Sequence, residues 1–363
     1  MEVTKRVITY KELLENTYHV ENDKYDIAAY LTESRRQAFL HNPNLKDYDK
    51  PVQNLYQVDG VVVGGSMGYE TLFKNDSEMY PAQGGSALET HKDYRHLGIG
   101  VDAMLNSLQN RDYDYIIYGG ISPMALPIYR KLRYVVFEFP RMMLIQNSRS
   151  LVEARIGNGA IGKMSTCLLN FPLKLLKIIN CYRSKLLQKK FEVRKETIVP
   201  RWVDRLILED GHKYMEVHDS RWLQWNLDYN FKRMPQDRQA FYTVWKDGEP
   251  IGFFMTKERF RELAGGILKN VLIGSIVEWG TALPDILTEE KLNKMAISTF
   301  SSCVDIIEFA TTDLIVVKTM KKWGFISHGF AHIVFKDKTK KLKDTSDINL
   351  WRIRYGYADV ILT

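Results

Sequence analysis

Ser86-Ala-Leu-Glu-Thr-His-Lys-Asp-Tyr-Arg-His-Leu-Gly-Ile-Gly-Val-Asp-Ala-Met-Leu-Asn-Ser-Leu108 reads as a strand, a tight turn and an amphipathic helix. Within it, Arg95-His96-Leu97-Gly98-Ile99-Gly100 places two glycines where the chain leaves the strand and enters the helix. With no Cβ at those positions, backbone N–H groups can converge on an anion. The helix expected over 101 to 110 then starts with its positive dipole end toward that anion. Arg95 adds a charge on a planar fork that suits phosphate.

Upstream, Ala28 to Leu40 is the clearest helix of the first 50 residues, and Pro43-Asn44 ends it. Leu55 to Val58 and Val61 to Val63 flank Asp59-Gly60, a pair that readily takes a positive-φ hairpin turn. Residues 69 to 83, with Asn75, Asp76, Ser77 and Pro81, read as a loop. Downstream, Tyr115 to Tyr118 is an apolar strand between two helices, and Tyr134 to Phe139 closes this half as a strand.

The second half repeats the outline: a hairpin about Asp247-Gly248, a strand Ser275 to Trp279, a helix Glu289 to Ser301, a strand Ile306 to Phe309 and the segment Met320 to Ile326. Its phosphate turn is missing, because Gly280-Thr-Ala-Leu-Pro-Asp285 offers neither the glycine pair nor an arginine.

Composition bounds the function. A chain of 363 residues, 45% hydrophobic, can bury about two domains. Met1-Glu-Val-Thr-Lys-Arg6 starts no secretory signal and no run of about 20 uncharged apolar residues occurs, so a soluble, cytoplasmic protein is expected. Cys167, Cys181 and Cys303 are too scattered for a disulfide framework or a zinc site, and no metal is expected. The net charge of +7 suits an anionic cofactor, an acidic surface or mere solubility, and no nucleic-acid partner is expected.

Arg95, Gly98 and Gly100, the strand Leu88-Glu89-Thr90, the Asp93-Tyr94 lead-in and the segment Ser122-Pro-Met-Ala-Leu-Pro-Ile-Tyr129-Arg-Lys-Leu132 together resemble the GNAT acyltransferase superfamily. The resemblance implies a mixed α/β fold, an α+β arrangement with a mixed sheet, present as tandem GNAT folds. The expected division is a coenzyme A-binding domain over 1–145, a basic helical linker over 146–198 and a second GNAT-like domain over 199–363 without the phosphate loop.

It further implies that Leu88, Thr90, Arg95, His96, Leu97, Gly98, Ile99, Gly100 and Ser122 bind acetyl-CoA, the pantetheine arm lying where the strand of Leu88 splays from its neighbour. Tyr129 is the expected general acid for the departing sulfur, against the alternative of a core tyrosine. An amine acceptor must lose a proton. Glu89 is the first candidate base and His91 the second, while an outward-facing strand charge is the competing reading of Glu89. Arg133-Tyr134 departs from the family's usual Gly-Phe, which Gly324-Phe325 keeps.

The implied activity is transfer of an acetyl group from acetyl-CoA to an amine: an amino sugar, another small molecule or a protein amine. Two alternatives stay open, a tandem aminoacyl transferase of the peptidoglycan-bridge type and a non-catalytic binder of coenzyme A or membrane. The sequence leaves the oligomeric state open.

Two further stretches stand apart from that chemistry. Residues 160 to 195 are basic and largely helical, and Pro172 should break or kink them. A pair of linker helices packed across both domains is the favoured reading, and peripheral contact with an anionic membrane the other. Trp222, Trp225 and Tyr229 fall on one helical face, resembling the Asp-x-x-x-Leu-x-Trp-Arg segment of bacterial tandem acyltransferases associated with surface polysaccharide. An aromatic domain interface is favoured there over a sugar platform.

Overall fold

The computed structural model describes residues 2–231 and 234–357. The first half runs β1 (Val3–Thr9), α1 (Tyr10–Glu15), α2 (Glu33–Leu40), β2 (Pro51–Val58), β3 (Val61–Asn75), β4 (Glu78–Thr90), α3 (Ile99–Gln109), β5 (Tyr115–Gly119), α4 (Leu126–Lys131) and β6 (Val135–Ile145). Two connecting helices follow, α5 (Arg149–Ile156) and α6 (Ala160–Gln188). The second half runs β7 (Glu192–Glu196), α7 (Trp202–Leu208), β8 (Tyr214–Glu216), α8 (Ser220–Asp228), β9 (Arg238–Lys246), β10 (Glu249–Ala264), β11 (Leu268–Thr281), α9 (Glu289–Ala296), β12 (Ile306–Ala310), α10 (Leu314–Lys321), β13 (Ile326–Asp337) and β14 (Trp351–Arg352).

Both hairpins expected from Asp-Gly pairs form. Asp59 and Gly60 take φ of 48° and 81°, and Asp247 and Gly248 take 52° and 84°, so each turn matches the twist of its strands. Residues 69 to 83 are not a loop. They belong to the long β3–β4 hairpin, which turns at Asp76 and Ser77 between paired Asn75 and Glu78. The polar turn residues mark only its tip, and the strands run through the rest of the stretch. Pro81 is tolerated because β4 gains its second neighbour, β5, only from Ala82 onward.

The strands form one mixed sheet in the order β1-β2-β3-β4-β5-β13-β6-β12-β11-β10-β9-β7, with β8 on β3 and β14 on β8. The last strand of each half is exchanged. β13 lies between β5 and β6, antiparallel to both, while β6 pairs with β12 of the second half. The segment from Tyr134 is a strand, as expected, but its neighbours come from residues 306–337.

Two features mark the second half. β11 carries one more residue than β10 between Glu278 and Ile276, a bulge at Val277, and it pairs with β12 only over Ile273 to Ser275. The chain's own residues 354–357 lie against the gap this leaves. Gly356 N–H donates to Val277 C=O at 2.6 Å, Tyr355 Oη donates to Glu308 at 2.7 Å, and Arg354 bridges Thr311.

Buried ion pairs tie down the same segment. Arg352 meets Glu278 at 2.7 Å and Asp210 at 3.2 Å, and His218 meets Glu278 at 2.6 Å and Glu216 at 3.3 Å. Burial alone would lower the His218 pKa, but its hydrogen bonds to Glu216 and Glu278 outweigh that and push it up to about 9.

Trp222 and Trp225 are both buried, and Trp225 Nε1 donates to Ala38 C=O at 2.7 Å, so α8 is an aromatic seam against α2. Rings held inside present no platform to a sugar. Nor does Pro172 break the linker into two helices: α6 is continuous across it, with Pro172 in its interior.

Candidate active site

β4 and β5 are parallel neighbours only from Ala82↔Tyr115 to Gly85↔Tyr118. Beyond that point β4 bulges. Met67 faces Ser86 and Gly65 faces Glu89, so β4 has one residue more than β3, and Ala87 takes a left-handed φ of 51°. The backbone of Ser86 to Leu88 therefore turns away from β5, and a cavity of ≈ 250 Å³ opens in the splay. Its walls come from β4 (Gln83, Ser86, Leu88), β5 (Tyr118), α3 (Met104, Ser107), the chain leading into α4 (Ser122) and α4 itself (Tyr129).

Glycines make this architecture fit. A Cβ on Gly85 would stand 2.5 Å from the Tyr118 ring and one on Gly84 would stand 2.2 Å from Tyr69. Both strands can accept large rings across their faces only because these positions are bare.

The turn leads directly into α3, which forms one wall of the cavity. Gly98 takes φ 74° and caps α3, its N–H bonding Arg95 C=O at 3.3 Å, while the Val101 and Asp102 N–H groups bond Gly98 C=O. Among the described residues, the N–H groups of Ile99 and Gly100 make no backbone bond, the normal state of a first helical turn. The space above them is open: a Cβ on Gly98 would meet nothing within 4 Å. Arg95 is exposed and ties the turn to the strand end through Nε donating to Thr90 C=O at 3.2 Å. The helix starts at Ile99, two residues before the position expected from the sequence.

Tyr129 lines the cavity from α4 and is 3% exposed. Its ring packs edge-on to Tyr118 at 6.2 Å and to Tyr134 at 5.0 Å, and its hydroxyl has no hydrogen-bond partner among the described residues. Burial, and then the neighbouring Tyr118, raise its pKa far above the ordinary tyrosine value, so it stays protonated. Arg133 ends this helix in the left-handed region at φ 59°, where a glycine would be unstrained, and points to solvent. Lys336 Nζ covers the helix end, donating to the carbonyls of Leu132 and Arg133, each at 3.0 Å.

Leu88, Ser122 and Tyr129 thus meet in one cavity, whereas Thr90 and Arg95 to Gly100 do not line it; the turn leads into α3, whose Ala103, Met104 and Ser107 do. Glu89 and His91 do not line it. Thr90 turns toward α3, its Oγ1 being 3.8 Å from a Cβ on Gly100, so alternation sends the Glu89 side chain through to the opposite face of the sheet. His91 stacks on Tyr25, with ring centroids 3.8 Å apart. Sequence reasoning missed Asn54, Ser66, Gln83, Ser86 and Tyr118. The pair Gly84-Gly85, which marks a close approach inside a strand, was the available signal.

No protein-family model and no curated protein sequence matches the chain. Its fold, however, is that of the GNAT acyltransferases. It superposes on a GCN5-related N-acetyltransferase from Anabaena variabilis with a TM-score of 0.54 at 10% identity, covering 93% of this chain and 73% of that one. It also superposes on Saccharomyces cerevisiae N-myristoyltransferase with bound myristoyl-CoA, with a TM-score of 0.57 at 14% identity, covering 92% and 82%.

Proposed function

We propose that the chain is a tandem GNAT acyltransferase whose first half binds acyl-CoA, acetyl-CoA in the first instance, and transfers the acyl group to an amine. The observation that carries this reading is the splay between β4 and β5, which opens a cavity walled by α3, the helix that the glycine turn starts, and lined by Tyr129, whose hydroxyl has no hydrogen-bond partner among the described residues.

Acyl-CoA would bring an activated thioester. The N–H groups of Ile99 and Gly100, with Arg95, would hold its pyrophosphate, and the backbone of Ala87 and Leu88, beyond the last rung that β4 shares with β5, would bond the pantetheine amides and polarise the thioester carbonyl. Glu89, which does not line the cavity, would take a proton from an amine arriving from the sheet face away from α3, directly or through one water. As the C–N bond forms and the C–S bond breaks, Tyr129 Oη gives its proton to sulfur.

The second half is proposed as the acceptor-shaping half, without a coenzyme A site of its own. In support, its corresponding gap is occupied by residues 354–357.

Titration calorimetry with coenzyme A tests the assignment. One site per chain is expected. Arg95→Ala should weaken binding about 10- to 100-fold, the worth of a charge-assisted hydrogen bond of about 1.5–3 kcal/mol, and Gly98→Val should abolish it by strain and obstruction. Unchanged affinity in both variants would remove the reading.

A further inference from the structure

The helix α6 is amphipathic with its faces reversed. Leu176 and Leu187 pack on the core, but most of the side it turns to the protein is polar. Asn170 accepts from Ser148 at 2.7 Å, Asn180 donates to Trp323 C=O at 2.8 Å, Ser184 donates to Met295 C=O at 3.0 Å, and Gln188 donates to the same carbonyl at 3.0 Å. The apolar side faces out. Ile161, Leu168, Phe171, Leu175, Ile178 and Tyr182 are each between 54% and 78% exposed. Their steps of three, four and seven keep them on one stripe, which extends for roughly 30 Å at about 1.5 Å per residue. Monomeric soluble surfaces rarely leave so continuous an apolar strip to water. The packed linker expected from the sequence would instead have turned these side chains inward.

What covers the strip follows from charge. The helix carries five basic residues and no acidic one. Lys163, Lys174 and Lys185 recur every eleven residues, three turns apart, and form an exposed row beside the apolar stripe. Lys189 and Lys190 extend the basic surface just past the helix end. A second copy of this chain docking stripe to stripe would bring lysine rows together with no acid to offset them. Among the described residues no helix is long and apolar enough to cross a membrane, so this one has to lie flat.

We infer that α6 is an interfacial anchor, its apolar stripe sunk into the acyl-chain boundary of an anionic bilayer and its lysine row on the headgroups. The inference is independent of the acyltransferase chemistry. Flotation of the full chain with phosphatidylcholine vesicles, with and without phosphatidylglycerol, tests it. The protein floats with the anionic vesicles and stays behind with the neutral ones. The triple variant Phe171→Glu, Leu175→Glu, Ile178→Glu binds at least about tenfold more weakly with an unchanged melting temperature, since those side chains touch solvent. Lys163→Gln, Lys174→Gln, Lys185→Gln together remove the preference for the anionic lipid. Wild-type protein that remains soluble beside anionic vesicles would overturn the inference, as would equal binding by wild type and both variants. Light scattering that shows a dimer dissolved by the triple glutamate variant, without vesicle binding, would assign the stripe to a second copy instead.

Discussion

Tyr129 is where an acid and a core tyrosine make different predictions. If its hydroxyl protonates the leaving sulfur, Tyr129→Phe lowers kcat about 10²-fold, the low end for a general acid because a thiol leaves tolerably as thiolate, and leaves the Kd for acyl-CoA unchanged. A destabilised variant with wild-type kcat would take Tyr129 out of the mechanism. His218 carries a prediction of another kind. Its pKa is raised from 6.5 to about 9, so the stability it contributes is fully present below pH 6.5 and is lost as pH rises through about 9. Glu278 behaves oppositely: burial opposes its charge, but Arg352 and His218 hold it down to about 2, so its contribution is present above its ordinary 4.5 and fades as pH falls toward 2. The melting-temperature gap between wild type and His218→Gln should therefore be widest near pH 6, worth at most about 3 kcal/mol, and narrow toward pH 10. A gap independent of pH would show that the histidine is not held as a cation. Legibility at this scale depends on locality. Gly98 and Arg95 were readable because a turn announces itself within six residues. Glu278 lies 60 residues from His218, and no spacing rule links them.

Among elements, α4 shows a local conflict that the sequence exposed in advance. Arg133 stands where a left-handed residue is required, and at φ 59° it adopts that conformation at a cost. Arg133→Gly should raise stability by about 1 kcal/mol, read as a higher denaturant midpoint with an unchanged m-value. A loss of stability would mean that the exposed guanidinium makes a contact worth more than the strain. Asp59-Gly60 and Asp247-Gly248 show why hairpins were legible, since two residues fix the turn. The loop misread over 69 to 83 and the inverted face of α6 show the limit. Periodicity reveals that a helix has an apolar side, but not whether protein or some other medium meets it.

Across the whole molecule, the two Asp-Gly hairpins were readable in advance, yet the crossing of β6 and β13 was not, because nothing in either strand names its neighbour. The exchange makes a prediction about cutting the chain. Residues 1–145 alone would lack β13 beside β5, and residues 146–363 would lack β6 between β13 and β12. Each fragment expressed alone should aggregate, exposing an unpaired hydrophobic edge, whereas co-expression should yield a soluble complex. A monomeric, cooperatively melting 1–145 would show that the first half closes by itself. The same crossing has a consequence during synthesis. Residues 1–119 leave the ribosome with the far edge of β5 bare, and the strand that covers it, starting at Ile326, follows roughly 200 residues later, or roughly 10–40 s at about 5–20 residues per second. The nascent first half has to wait out that interval with an open edge, so chaperone occupancy on translating ribosomes should persist until Ile326–Asp337 has been made.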